Sequence, residues 1–154
     1  MSQSLSQIWV HIIFSTKNRY PFLKDTAIRQ RLYAYIQAIC HKKKCETIIV
    51  NGIEDHVHIL TSLHKNISLS TLIETIKKSS SLWVKQLNTE DSTINQFYWQ
   101  NGYGVFSVSQ SNLLSVKSYI EKQKEHHQKY NFQEELKKFL TQHGVSYDEK
   151  YLWD

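Results

Sequence analysis

One proline and four glycines in 154 residues leave no room for flexible linkers, proline-rich recognition stretches or low-complexity segments. The chain therefore reads as a single domain, 1–154, long enough to bury a real hydrophobic core. Cysteine is almost as scarce. Cys40 and Cys45 are the whole complement, and their spacing makes neither a disulfide framework nor a C-x-x-C zinc site. A reducing, cytoplasmic compartment is the expectation. No run of about 18 apolar residues occurs, so a transmembrane helix and a membrane partner are excluded. The polar start, Met1 to Gln7, lacks the basic segment and apolar run of a signal peptide. Repeats at solenoid spacing are missing too.

What is present is basic and aromatic. A net charge of +5, a pI near 9.1, four Trp and nine Tyr suit a polyanionic partner with bases to stack on, and nucleic acid is the commonest such partner.

The apolar pattern changes period several times. Residues 8–14 form a continuous β-branched and aromatic run, expected as a buried strand, and a basic loop closed by Pro21 follows. Ile28, Leu32, Tyr35, Ile36 and Ile39 share one helical face, with Asp25 or Thr26 as N-cap. Residues 46–50 predict a second strand, Asn51-Gly52 a turn or bulge, and residues up to about Leu63 a third strand. Ser68 then caps a helix whose stripe runs through Leu69, Leu72, Ile73, Ile76, Ser80, Trp83, Val84 and Leu87. After a polar loop from Asn88 to Gln96, residues 97–108 predict an aromatic fourth strand. A third helix carries Leu113, Val116 and Ile120, and a fourth carries Phe132, Leu136, Phe139 and Leu140. The order predicts an α+β, ferredoxin-like or RRM-like βαββαβ sandwich, with an antiparallel sheet and helices on one face. The core spans about 8–130, and a C-terminal helix and tail span 131–154. The second sheet face is expected to stay free.

Within the third strand, Asp55-His56-Val57-His58 puts two imidazoles on one face directly after a carboxylate. Such a pair can hold a divalent metal, but a chain with eight His also produces a His-x-His by chance. Corroboration comes from the third helix, where Tyr119 and Gln123 are four residues apart and so share a helical face. His126, three residues after Gln123, falls near the Tyr119/Gln123 face and could assist, but a solvated helix end is the expectation for it and His127. His11, His41, His64 and His143 have no partner pattern.

The combination of Asp55-His56-Val57-His58, the strand Tyr98-Trp99-Gln100-Asn101-Gly102-Tyr103-Gly104-Val105-Phe106-Ser107-Val108 and Tyr119-x-x-x-Gln123 resembles the HUH single-tyrosine transposases of the insertion-sequence 200 type, over roughly Ile8 to Tyr130. The resemblance implies His56, His58 and Gln123 as ligands of Mg2+ or Mn2+, and Tyr119 as the nucleophile. It implies cleavage and rejoining of single-stranded DNA at hairpins near insertion-sequence ends, through a 5′-phosphotyrosine. It also implies a homodimer with sites shared between subunits, in a prokaryotic cytoplasm at the nucleoid. Asp55 is a candidate to orient a histidine from behind the metal, and Lys17, Arg19, Lys77 and Lys78 are candidate DNA contacts.

Two rivals stand beside this reading. A domesticated relative would nick repeat sequences without moving its own element. A non-catalytic RRM-like RNA-binding module would use residues 101–108, but that stretch has Asn101 for a basic residue and Val105 and Val108 for aromatics.

Overall fold

β1 (Trp9–Ser15) is buried along its whole length in the computed structural model, which describes residues 2–87 and 89–153. A strand covered on both faces must be apolar in both registers, and the run from Trp9 to Phe14 is nearly so. Val10, Ile12 and Phe14 enter a core beneath α1 (Thr26–Lys42) and α2 (Leu69–Lys85), while Trp9 and Ile13 pack on the opposite face. β2 (Thr47–Ile53), β3 (His56–Ser62) and β4 (Gly104–Val108) complete an antiparallel sheet in the order β2-β3-β1-β4. This is the expected α+β, ferredoxin-like arrangement.

Both long helices begin where the sequence predicts. Asp25 accepts from the amides of Ala27 and Ile28, and Ser68 accepts from the amide of Thr71. The two helices meet through Tyr35 stacked on Trp83, with ring centroids 5.4 Å apart. Cys40 and Cys45 are free and buried in this layer. No helix among the described residues is long and apolar enough to cross a membrane.

Four expectations are corrected. The second sheet face is not free: α3 (Leu113–Glu121), α4 (Gln123–His126) and α5 (Phe132–Gln142) cover it. Trp9, Ile13, Leu60 and Phe106 make that face too apolar for water, and Leu113, Ile120, Phe132, Leu136 and Leu140 bury it. Leu152 and Trp153 of the tail dock at its edge.

The helix expected to carry both Tyr119 and Gln123 breaks between them. Lys122 leaves the helical region (φ −98°, ψ 24°), so Tyr119 lies in the last turn of α3 and Gln123 opens α4.

The fourth strand is shorter than predicted. Phe97 and Trp99 fill the core under α1 and α2, and the Trp99 indole donates to Ser80 Oγ at 2.9 Å. The Lys77 ammonium draws in the carbonyls of Gln100 and Gly102, and residues 97–103 keep only one antiparallel bridge to the end of β1, Trp99 to Thr16. Asn88, which opens the predicted polar loop, lies outside the described residues.

Finally, Asn51-Gly52 is inside β2, and Glu54-Asp55 make the turn. A Cβ on Gly52 would stand 2.1 Å from the His56 carbonyl oxygen. The glycine is there for close backbone approach, not for a turn.

Candidate active site

Alternation along β3 sends His56, His58 and Leu60 toward α3–α5, while Val57 and Ile59 enter the other core. His56 and His58 are fully buried and held from behind. His56 Nδ1 lies 2.7 Å from Asp55 Oδ1, and His58 Nδ1 lies 2.7 Å from His11 Nε2. Their Nε2 atoms face a shared space. His56 Nε2 is 3.2 Å from Gln123 Oε1 and 3.4 Å from Glu135 Oε1, and His58 Nε2 is 2.9 Å from Glu135 Oε1.

His127 joins from the end of α4, its Nε2 3.1 Å from Gln123 Oε1 and 3.3 Å from Glu135 Oε1. The Tyr119 hydroxyl donates to Glu135 Oε2, and its ring stacks on His126 at 4.3 Å. Phe132 closes the site over His56, with ring centroids 4.9 Å apart. A cleft of about 390 Å³, lined by His11, Ser115, Tyr119 and Phe139 among others, opens beside the tyrosine.

Two sheet histidines, an amide oxygen and a tyrosine, all from one chain, thus meet at one buried point. A family model described as "Transposase IS200 like" matches residues 4–123. The chain belongs to the IS200-like transposase family. Membership sets the class as a DNA-cleaving transposase.

Two solved structures share the fold. A crystal structure from Deinococcus radiodurans, titled as a transposase, has a TM-score of 0.57 and 21% identity, covering 78% of this chain and 93% of that one. A REP-associated tyrosine transposase bound to a REP hairpin has a TM-score of 0.57 and 17% identity, covering 82% of this chain and 74% of that one. No curated protein matches the sequence.

The IS200-like chain thus brings together the four residues singled out as catalytic or metal-binding, Tyr119, His56, His58 and Gln123, with Asp55 behind His56. The basic residues lie elsewhere. Lys17 and Arg19 flank the tight turn after β1, beside Tyr98 and Trp153 respectively. Lys77 and Lys78 sit on α2, across the sheet from the histidines, and Lys77 donates to the carbonyls of Gln100, Asn101 and Gly102.

Three site residues escaped the sequence. His127 is no solvated helix end but part of the cluster, because the break at Lys122 turns α4 back over β3. His126 is half-buried against Tyr119 for the same reason. His11 is set opposite Leu60 by strand register, which no local pattern reveals. Glu135 did leave a signal: it stands within the stripe of Phe132, Leu136 and Phe139, a carboxylate on an apolar helical face.

The cluster's electrostatics follow from these contacts. Burial pushes the His56 imidazole down, but Asp55 and Glu135 outweigh it and bring it up to about 9 from 6.5. Burial dominates at His58, which stays below 6.5 despite Glu135, and at His11, held well below it by burial and by His58. A neutral His11 can accept a hydrogen bond from His58 Nδ1–H, which leaves His58 Nε2 free as a ligand. Burial would raise Glu135, yet His58 and the hydrogen bonds from His127 and His56 hold it well below the usual carboxylate range. Tyr119 is pushed up by burial and by the Glu135 carboxylate.

A pH dependence follows. The folded His56 value exceeds the unfolded one, so its contribution to stability is complete below pH 6.5 and lost as pH rises through about 9. Glu135, His11 and His58 titrate below that window, but burial brings the Lys77 ammonium down to about 8, and its slope of opposite sign offsets the loss above that pH. Urea unfolding of chelator-treated protein should show stability falling from pH 6.5 to 8, and a His56→Gln variant should lose most of that slope.

Proposed function

We propose that this IS200-like chain cleaves and rejoins single-stranded DNA at hairpin-bearing ends, with Tyr119 as nucleophile and His56, His58 and Gln123 as ligands of a divalent metal, Mg2+ or Mn2+. The observation that carries this is the convergence of the Tyr119 hydroxyl, two sheet imidazoles and Gln123 Oε1 within one chain. The donor set fits a cation. Asp55 fixes one histidine from behind and His11 the other, and the buried Gln123 Oε1 lies 3.2 Å from His56 Nε2. Bound there, the metal would neutralise a non-bridging phosphate oxygen and make phosphorus electrophilic.

The chain's own residues do the rest. Tyr119 Oη attacks phosphorus, an Oη–P bond forms, and the P–O3′ bond breaks. The phenol gives up its proton and O3′ gains one, leaving a 5′-phosphotyrosine and a free 3′-hydroxyl. That hydroxyl can attack the linkage later, because the phosphodiester energy is conserved. Stacking on His126 and the bond to Glu135 keep Oη in place.

The REP-associated neighbour was solved with a hairpin, which supports hairpin DNA as the ligand class here. Lys17 and Arg19 would contact the DNA backbone, and Lys78, exposed on α2, would extend those contacts. Lys77, fully engaged with backbone carbonyls, would contribute through its charge alone. A homodimer with shared sites would need α3 to leave this sheet for that of the second copy. The RNA-binding alternative is disfavoured, since the sheet face it would use carries α3–α5.

The test is a denaturing-gel assay for covalent adduct between the protein and single-stranded hairpin DNA. Adduct is expected with Mg2+ or Mn2+ and none with chelator. His56→Ala should lower its yield on the order of 10²-fold or more. Equal yield with chelator present would sink the metal role.

A further inference from the structure

His127 and Glu135 lie beyond the residues the family model matches, yet both reach the histidine pair. We propose that they complete, with His56 and His58, a buried three-imidazole, one-carboxylate site selective for transition-metal cations of the Zn2+, Co2+ and Mn2+ class over Mg2+. This rests on the metal role proposed above for the histidine pair.

Geometry is the first support. One ligand atom from each of the four residues falls within 4.8 Å of the other three. The three Nε2 atoms stand 2.9, 3.3 and 3.4 Å from Glu135 Oε1. Four donors each about 2.1 Å from one cation stand roughly 3.4 Å apart, so this grouping needs little adjustment to bind.

Burial is the second. His56, His58 and Gln123 are fully buried and Glu135 is 1% exposed. A carboxylate and polar rings in such a place cost several kcal/mol unless paired, and one cation among them satisfies all four residues together.

Local sequence is the third. Asn131 caps α5 by accepting from the Glu134 amide, which fixes the first turn. Phe132, Leu136 and Leu140 then seat the helix on Ile13 and Phe106, pointing Glu135 into the cluster. An acid on the buried stripe of a helix is costly, and metal ligation gives it a purpose.

The donor set also determines which metal. Imidazole nitrogen favours the later divalent transition metals, whereas Mg2+ prefers oxygen donors and keeps its waters. Among divalent ions affinity should rise from Mn2+ through Co2+ to Zn2+. The carboxylate also divides its oxygens. Oε1 faces the imidazoles and Oε2 holds the Tyr119 hydroxyl, so the proposed nucleophile is positioned by a metal ligand.

Calorimetric titration of the metal-free, full-length protein tests this without DNA. Zn2+ should bind more tightly than Mn2+, and Mg2+ at least about 10²-fold more weakly than Mn2+. Glu135→Gln and His127→Asn should each weaken Zn2+ about 10²-fold and move the visible absorption bands of bound Co2+. Wild-type Zn2+ affinity and an unchanged Co2+ spectrum in both variants would overturn the four-residue site. If His56→Ala still lost the metal in that case, the histidine-pair reading would stand by itself. If His56→Ala bound like wild type, both would fall. Crystals soaked in Mn2+ give a check independent of variant folding. An anomalous peak next to Glu135 supports the inference, and a peak held by His56, His58 and Gln123 alone refutes it.

Discussion

Replacing Tyr119 by Phe is expected to abolish the covalent protein–DNA adduct while leaving hairpin binding within a few-fold of wild type. The phenylalanine ring keeps the stack on His126, so the end of α3 holds its position. What disappears is the hydroxyl and its hydrogen bond to Glu135 Oε2. Without an attacking oxygen no Oη–P bond can form, and losses on the order of 10⁴-fold or more are usual when an enzyme loses its nucleophile. Binding is spared because affinity for DNA comes mainly from charge against phosphate, and Tyr119 contributes none. The lost bond to a charged acceptor should also cost about 2 kcal/mol of stability, measurable by thermal unfolding. An adduct of wild-type yield in Tyr119→Phe would reject the assignment of nucleophile.

Gly52→Ala should be among the most damaging single substitutions outside the site. The new Cβ would lie 2.1 Å from the His56 carbonyl oxygen and 3.0 Å from Val57 Cα, and neither atom belongs to a side chain that can swing away. The β2–β3 ladder must spread where it carries His56, the first of the proposed metal ligands. Overpacking of this kind costs about 3 kcal/mol, which for a chain of this size lowers Tm by roughly 6–12 °C. Because the displaced carbonyl belongs to His56, metal affinity should fall as well. Gly102→Ala is the control: its Cβ would meet nothing within 4 Å, and the change should stay within about 0.5 kcal/mol. Equal stability of the two variants would show that the strand approach at Gly52 tolerates a methyl group.

Much of this site was legible in the sequence because two of its parts follow local periods. Period-two alternation places His56 and His58 on the face of Leu60 and opposite Val57 and Ile59, whatever the rest of the chain does. Tyr119 and Gln123 were found by their four-residue spacing and by family resemblance. Both side chains reach the histidine pair although the helix that the spacing assumes is broken at Lys122. The aromatic stretch before β4 has the composition of a strand in Phe97, Trp99 and Tyr103. Burial of Phe97 and Trp99 under α1 and α2 outweighed that preference.

The sequence by itself determined the order of elements, the two apolar faces of β1 and β3, the caps at Asp25 and Ser68, and the imidazole pair with its preceding acid. Each is set by residues close together in the chain, where backbone geometry is short-ranged and regular. Only the tertiary structure decided that α3–α5 close over the second sheet face, that His11 backs His58, and that His127 and Glu135 reach the same point as the strand histidines. Those contacts join residues far apart in the chain, His58 and Glu135 by 77 positions. They depend on one non-helical residue at Lys122 and on the docking of α5, and packing against a whole sheet face fixes both. The Asp55-His56-Val57-His58 strand was visible from the start, and the carboxylate that meets it came into view only once the chain was folded.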